Sequence, residues 1–265
     1  MSTTISTATG AYTTSPMEIR PPSATSALKT LLRADLTTQW RNRRASMLSI
    51  VLPVIILMSW KGLIPQFGGA FVLGNCITVG LTALGLMAYS TTIARDRDKG
   101  IFQRLRVGPA PSWTIMASRL IVQLIMIVTL IVVVFIVGLQ FDHITLPASG
   151  YVLGMLAAFV GGAVYLALGQ VVVGLVMNPE TVQATSRLVY IAFIMIGMFG
   201  QFGMLGKEIG KIVEWSPYGT TKHIVAAAIT PSTWDTNASI ALLVTFGYTI
   251  VFAVVGIRKF KWNTR

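Results

Sequence analysis

The residue types that most often carry out enzymatic chemistry are few in this chain of 265 residues, and they lie far apart. His143 and His223 are distant in sequence, and the single cysteine, Cys76, sits inside an apolar run, so no histidine or cysteine metal site is expected. The nearest approach to a phosphate-binding loop is Gly206-Lys207, which lacks the earlier glycine and the Ser or Thr after the lysine. We therefore predict that the chain itself holds no catalytic residue, metal or cofactor.

One charged stretch, 95–111, separates two apolar runs of membrane-spanning length, and such a stretch cannot lie in lipid. Asp96 and Asp98 stand where a short helix would begin, because acidic groups complement the helix dipole there. Apolar residues then recur at helical spacing until Pro109 ends the pattern. We predict an amphipathic helix over about 96–107 at the membrane surface. A solvated loop that follows the positive-inside rule is the alternative.

The elements that position this stretch are apolar helices. Hydrophobic residues make up 54% of the chain and charged residues only 11%, whereas a soluble domain carries roughly 25% charged residues. We predict an all-α integral membrane protein with six transmembrane helices. The fourth apolar run carries small residues at four-residue steps, which indicates a packing seam. The six runs lie at about 46–64, 70–93, 114–139, 151–177, 187–205 and 239–257.

The distribution of charge predicts the orientation of these spans. With six spans, the segments on the side of both termini carry the whole net charge of +12, and the opposite segments are neutral overall. Positively charged segments stay inside, so both termini should be cytoplasmic. The excess charge is then explained by attraction to anionic membrane lipid, and no nucleic acid partner is expected.

Three flanking segments complete the predicted organisation. Residues 1–24 read as a disordered cytoplasmic arm, and 258–265 as a basic cytoplasmic tail that follows the membrane domain at 46–257. Residues 25–45 read as an amphipathic helix in the plane of the interface, with a soluble helix packed on a partner as the alternative. Its apolar face carries Leu28, Leu32, Leu36 and Trp40.

The segment 206–238, before the sixth span, is the one sizeable outside loop that the sequence predicts. Its apolar piece at 224–229 is too short to cross a membrane and is bounded by turn residues. Such pieces form either re-entrant helices that dip into the bilayer or ordinary surface helices, and both interpretations stay open.

Uncharged polar residues are scattered through the predicted spans, and none of the acidic residues lies within one. Ion-coupled carriers usually need carboxylates inside the membrane, so the pattern argues against a secondary transporter. The polar residues either line a path for an amphipathic substrate or hydrogen-bond neighbouring helices to one another. They are Asn75, Thr78, Gln123, Gln170 and Gln201.

Residues 25–260 resemble the permeases of ABC-2 type transporters. The resemblance rests on the order of features around the charged stretch: an acidic run, Gly100, a short amphipathic helix with Leu105, then Pro109 before the third span. The basic helix before the first span and the Trp215-Ser216-Pro217 loop also fit. The sequence departs from the family at Gln103, Arg104 and Gly108.

The resemblance implies a bacterial plasma-membrane exporter subunit without its own ATPase. Two separate ATPase subunits would bind ATP and Mg²⁺, and a second permease chain, identical or related, would complete the complex. The helix at 96–107 would be the coupling helix that docks on the ATPase, and 25–45 the connecting helix. The implied coupling residues are Asp96, Asp98, Gly100, Phe102, Arg104, Leu105, Arg106 and Pro109. A secondary transporter or a non-transporting membrane scaffold is the alternative.

Overall fold

The computed structural model describes residues 23–41, 43–106, 111–201 and 206–260, and these residues are helical with short connections and no strand. A π-helical segment, Ala83–Tyr89, joins the α-helix Gly69–Thr82 to the α-helix Ser90–Asp98. The all-α prediction is therefore confirmed for the described residues. In chain order the helices are α1 (Ala24–Arg41), α2 (Arg43–Ser59), α3 (Ile64–Phe67), α4 (Gly69–Thr82), α5 (Ser90–Asp98), α6 (Ile101–Arg106), α7 (Ser112–Phe141), α8 (Ala148–Leu175), α9 (Pro179–Gln201), α10 (Lys207–Glu214), α11 (Pro217–Ile229) and α12 (Thr236–Lys259).

Within the described ranges, four helices are long and apolar enough to cross a membrane, and a bent pair brings the number to five at most. The bent pair, Ser49–Ser59 with Lys61–Phe67, turns by 48° where the sequence places Trp60 and Lys61. Helix α9, which corresponds to the fifth predicted span, is not among these candidates; its first turns carry Glu180 and Arg187. The arrangement of six spans with both termini inside stays a prediction. The four candidates are Gly69–Asp98, Trp113–Phe141, Ala148–Leu175 and Thr236–Lys259.

The continuous helix Gly69–Asp98 lies at the centre of the fold. In its most apolar window 83% of the residues are buried, against 17% for Thr236–Lys259. Glycines let neighbouring helices come close to this central helix, as at Gly74, which faces the backbone of α11, and Gly80, which faces Leu130 of α7. The core of the protein therefore surrounds α4, the π-helical segment and α5, while α12 lies at the outside.

Helix α8 carries the predicted seam of small residues, and the structure uses it for packing within the chain. A Cβ atom on Gly154 would lie 2.8 Å from Cγ1 of Ile229, and one on Gly162 would lie 2.7 Å from Cδ1 of Ile127. Glycine leaves the space that these side chains fill. The seam thus joins α8 to α11 on one side and to α7 on the other.

Replacing Gly85 with alanine should lower the free energy of unfolding by about 1–3 kcal/mol, because the added methyl group overpacks a tight helix crossing. A Cβ atom there would lie 2.6 Å from both the carbonyl carbon and Cβ of Tyr165. Gly247→Ala in α12 is the matched control, since no atom lies within 4 Å of the position that its added methyl group would take, and alanine favours the helix. Thermal unfolding in detergent measures both variants, and equal stability of the two would contradict this packing.

Helices α10 and α11 form a hairpin that enters the bundle and returns. The hydroxyl of Tyr165, in the middle of α8, donates to the backbone oxygen of Pro217 at the start of α11 (3.3 Å). The other end of α11 reaches the beginning of α8, where Gly150 meets the backbone oxygen of Ile229. The 13 residues of α11 extend about 20 Å along α8. This path favours re-entrant helices over helices folded on the surface.

Candidate functional site

The charged stretch forms two helices separated by a glycine. The sequence predicted that Asp96 and Asp98 begin the short helix. Instead, α5 continues to Asp98, so both residues lie in its last turn. Lys99 and Gly100 then form a turn, and the φ of +66° at Gly100 lies in the left-handed region that glycine adopts without strain. Helix α6 then covers Ile101–Arg106 and is shorter than the predicted segment 96–107.

Helix α6 packs against the end of α12 through an aromatic contact. Phe102 is only 1% exposed, and its ring meets that of Phe260 edge to face, with 6.1 Å between the centroids. Leu105 is half-buried against the same core. The family resemblance implied that Phe102 is a coupling residue; in the structure its side chain is enclosed within the chain. The exposed side of α6 consists of Gln103 and Arg104. The side chain of Arg106, and Pro109, lie outside the described residues.

Arg97 joins the end of α5 to the end of α8. Its guanidinium is enclosed, with 2% of the residue exposed, and donates to three backbone oxygens. The acceptors are the carbonyls of Val173 at 2.7 Å, Val176 at 2.7 Å and Met177 at 2.9 Å. The last carbonyls of a helix lack partners within it, and a cation complements the negative end of its dipole. Arg97 therefore caps α8 from the last turn of α5.

A charged cluster joins three helices beside α6. One nitrogen of Arg119 in α7 lies 3.0 Å from Oδ1 of Asp35 in α1, and another lies 2.6 Å from Oδ2 of Asp96 in α5. Ser118 donates a hydrogen bond to the second oxygen of Asp35 at 2.5 Å. The three charged side chains are only 13–14% exposed, so solvent screens them weakly. We call Asp35, Arg119 and Asp96 the three-helix cluster.

A small cavity of about 60 Å³ adjoins the three-helix cluster. Gln123, which is 5% exposed, has an Oε1 atom without a hydrogen-bond partner among the described residues, and the same holds for Nε of Arg119. A polar space of this size accommodates one or two water molecules that would satisfy these groups. Gln123 therefore lies beside the three-helix cluster, in a cavity that it lines together with Asp35, Arg119 and Tyr89.

Of the remaining residues of the suggested substrate path, Asn75 and Gln170 make contacts between helices. The amide nitrogen of Asn75 donates to the backbone oxygen of Phe71 (3.0 Å), and its side-chain oxygen accepts from the hydroxyl of Tyr218 (3.2 Å). Thr78 donates to the backbone of its own helix. Gln170 accepts from the hydroxyl of Tyr89 at 2.9 Å. These contacts favour interhelical hydrogen bonding over a shared path; the side chain of Gln201 lies outside the described residues.

The predicted connecting helix corresponds to α1, which packs on α7 beside the three-helix cluster. Leu28, Leu32 and Leu36 are half-buried, as a packed apolar face requires. Trp40, by contrast, is 71% exposed, so the end of the helix presents an aromatic side chain outward. This is the position that an interfacial tryptophan takes at the edge of a membrane. The predicted arm at 1–24 falls almost wholly outside the described residues.

Sequence reasoning missed Arg97, Arg119 and Asp35 as members of the site, because it counted them only toward the charge balance. A signal was present for two of them. Arg119 is a lone cation near the start of an otherwise apolar helix, and Asp35 is the one acidic residue in a basic helix. Charges in such places usually have partners.

Comparison with known proteins supports the resemblance seen in the sequence. A family model described as ABC-2 type transporter matches residues 26–221, about three quarters of the chain. The match includes α1, α6 and all members of the three-helix cluster. A comparison with curated proteins returned no significant match.

Proposed function

The chain belongs to the ABC-2 type transporter family, and from this we propose that it is the permease subunit of an ATP-binding cassette exporter in a bacterial plasma membrane. Two separate ATPase subunits would bind ATP and Mg²⁺, and a second permease chain, identical or related, would complete the complex. The cargo would be a hydrophobic or amphipathic molecule, such as a drug, an antibiotic, a peptide or a lipid. Such efflux would confer resistance where the cargo is toxic.

The observation that carries this proposal is the set of contacts that α5 and α6 make with four other helices. We call α5 and α6 the coupling segment. Phe102 joins α6 to the end of α12, and Arg97 joins α5 to the end of α8. The three-helix cluster joins α5 to α1 and α7. A force on α6 would therefore reach α1, α7, α8 and α12 through short, partly buried polar contacts and one aromatic contact.

The chemistry of this segment suits transmission of movement and not catalysis. Its largely buried charged groups pair with a charged side chain of another helix, as Asp96 does with Arg119, or with backbone oxygens, as Arg97 does, and the sequence offers no phosphate-binding loop. ATP-driven approach of the two ATPases would press on Gln103 and Arg104, the exposed side of α6. The enclosed contacts would then reorient the long helices relative to one another. Transport by such subunits requires two conformations of the helical bundle, and nucleotide binding would shift the equilibrium between them.

Replacing Arg104 with glutamate should release the ATPase, because the substitution reverses a charge on the exposed side of α6 without disturbing the enclosed Phe102. The tagged chain is purified in mild detergent, and co-purifying proteins are identified by mass spectrometry. We expect a P-loop ATPase with the unchanged chain, and a loss of about tenfold with Arg104→Glu.

Lys211→Glu is the matched control, since Lys211 is also exposed and lies on α10, remote from α6. The control should retain the ATPase in full. Equal recovery with both variants would place the contact elsewhere on the chain. Absence of any ATPase from the well-folded, unchanged chain would contradict the proposed function itself.

A further inference from the structure

A second cavity, of about 500 Å³, lies where the α10–α11 hairpin meets the end of α9 and the start of α4. Cavities of roughly 300–1,000 Å³ are the size that holds small molecules. Gly200, Gly210 and Gly219 are among its lining residues, and Phe71 supplies an apolar wall. We call this space the hairpin cavity.

Lys222 of α11 projects into the hairpin cavity, and its ammonium group lies 5.0 Å from the centre of the Phe71 ring. The ring attracts the cation, but it does not neutralise its charge. Burial lowers the pKa of Lys222 to about 8, although the nearby Glu214 carboxylate acts in the opposite direction. A partly enclosed cation in such a setting gains much from an anion beside it.

The other charged groups at the cavity are more exposed or have a charged neighbour. Lys211 of α10 is largely exposed and lies 3.5 Å from Glu208. His223, next to Lys222 in α11, lies 3.7 Å from Asp235. Glu214 stands exposed at the end of α10, and the wall from α4 is the uncharged ring of Phe71. The lining of the cavity therefore combines one partly enclosed cation, Lys222, with an aromatic ring and with charged groups that are more exposed or already paired.

We infer that the hairpin cavity binds an amphipathic anion, with its carboxylate or phosphate at Lys222 and its apolar part against Phe71. The ammonium group supplies the charge-assisted hydrogen bonds that such a head group requires. This inference goes beyond the proposed function, because binding here needs neither an ATPase nor nucleotide. The anion has two sources with the same chemistry: an anionic lipid of the surrounding bilayer, or a soluble amphiphile on its way across it.

The test measures the protection of Lys222 from acetylation. The full chain is placed in nanodiscs of neutral phosphatidylcholine and treated with a small acetylating reagent at neutral pH, and the acetylated fraction of each lysine is determined by mass spectrometry. Dodecyl phosphate should lower the acetylation of Lys222 several-fold and leave Lys29, an exposed lysine of α1 outside the cavity, unchanged. Dodecyltrimethylammonium should protect neither lysine.

The lipid composition of the nanodiscs distinguishes the two sources of the anion. Protection in nanodiscs that contain phosphatidylglycerol, without added amphiphile, identifies a lipid as the ligand, whereas protection only by dodecyl phosphate identifies a soluble amphiphile. Either result supports the site. Protection by neither anion, or equal protection by the cationic amphiphile, overturns it.

Substitutions provide an independent measurement. Native mass spectrometry counts the dodecyl phosphate that the chain retains, and Lys222→Met should weaken binding about tenfold while Lys222→Arg retains it. Lys29→Met is the control and should bind normally, because Lys29 is an exposed residue of α1 and does not line the cavity. Because the protonated lysine is the binding form, retention by the unchanged chain should fall as the pH rises through about 8. Full binding by Lys222→Met overturns the site.

Discussion

Replacing Arg97 with methionine is expected to lower the free energy of unfolding by about 3–5 kcal/mol. Methionine fills much of the same space but leaves the backbone oxygens of Val173, Val176 and Met177 without their donor. Each enclosed carbonyl that loses a charged partner costs of the order of 1–3 kcal/mol. The end of α8 should therefore fray, and with it the connection to α9.

Arg95→Met is the control for this substitution. Arg95 lies two residues earlier in α5, is exposed, and makes a single hydrogen bond of 3.2 Å to Gln183. Its replacement should change stability by no more than about 0.5 kcal/mol. Thermal unfolding in detergent, followed by the loss of the monodisperse peak on size exclusion, compares the two variants. Equal stability would show that the α8 carbonyls find other partners.

Replacing Arg119 with methionine is expected to abolish most transport, with a loss of about tenfold or more. The substitution removes the cation that lies 3.0 Å from Asp35 and 2.6 Å from Asp96, so that two weakly screened carboxylates face each other. Their repulsion should part α1 from α5 and lower stability as well. The expected loss of transport rests on the proposed function. The expected loss of stability does not, because it is measured on the purified chain alone.

A combined variant separates these two effects. Asp35→Asn and Asp96→Asn together, in the Arg119→Met background, remove the repulsion and should restore most of the lost stability. Transport should stay low, because the charged link between the helices is still missing. Full transport by Arg119→Met would show that the three-helix cluster is dispensable. Recovery of both properties in the combined variant would reduce the cluster to a purely structural role.

The long helices could be predicted from the sequence because their signal is local. The run at 239–257 corresponds in the structure to Thr236–Lys259, and the run at 114–139 to Ser112–Phe141. Length and apolar composition are enough for this, since lipid leaves few other conformations to a backbone. The end of α5 at Asp98 was not predicted. Acidic residues favour the start of a helix, so Asp96 and Asp98 suggested that a helix begins there, whereas in the structure they lie in the last turn of one.

The contacts that define the site could not be predicted, since they join residues distant in sequence. Phe102 looks like an exposed anchor until Phe260, at the other end of the chain, is brought beside it. The polarity of Asn75 likewise suggests a substrate path until its partner Tyr218 is known. Periodicity shows which face of a helix is apolar, but it does not show what covers that face.

The π-helical segment Ala83–Tyr89 sets the register of everything that follows it in the central helix. A π-helical turn is wider than an α-helical turn and holds more residues. In an α-helix each residue rotates the chain about the helix axis by about 100°. If the same residues formed a regular α-helix instead, α5 would be turned about its axis by roughly 100°, the rotation of one residue. Asp96 and Arg97 would then point away from Arg119 and from the end of α8, although every residue of the site would still be present.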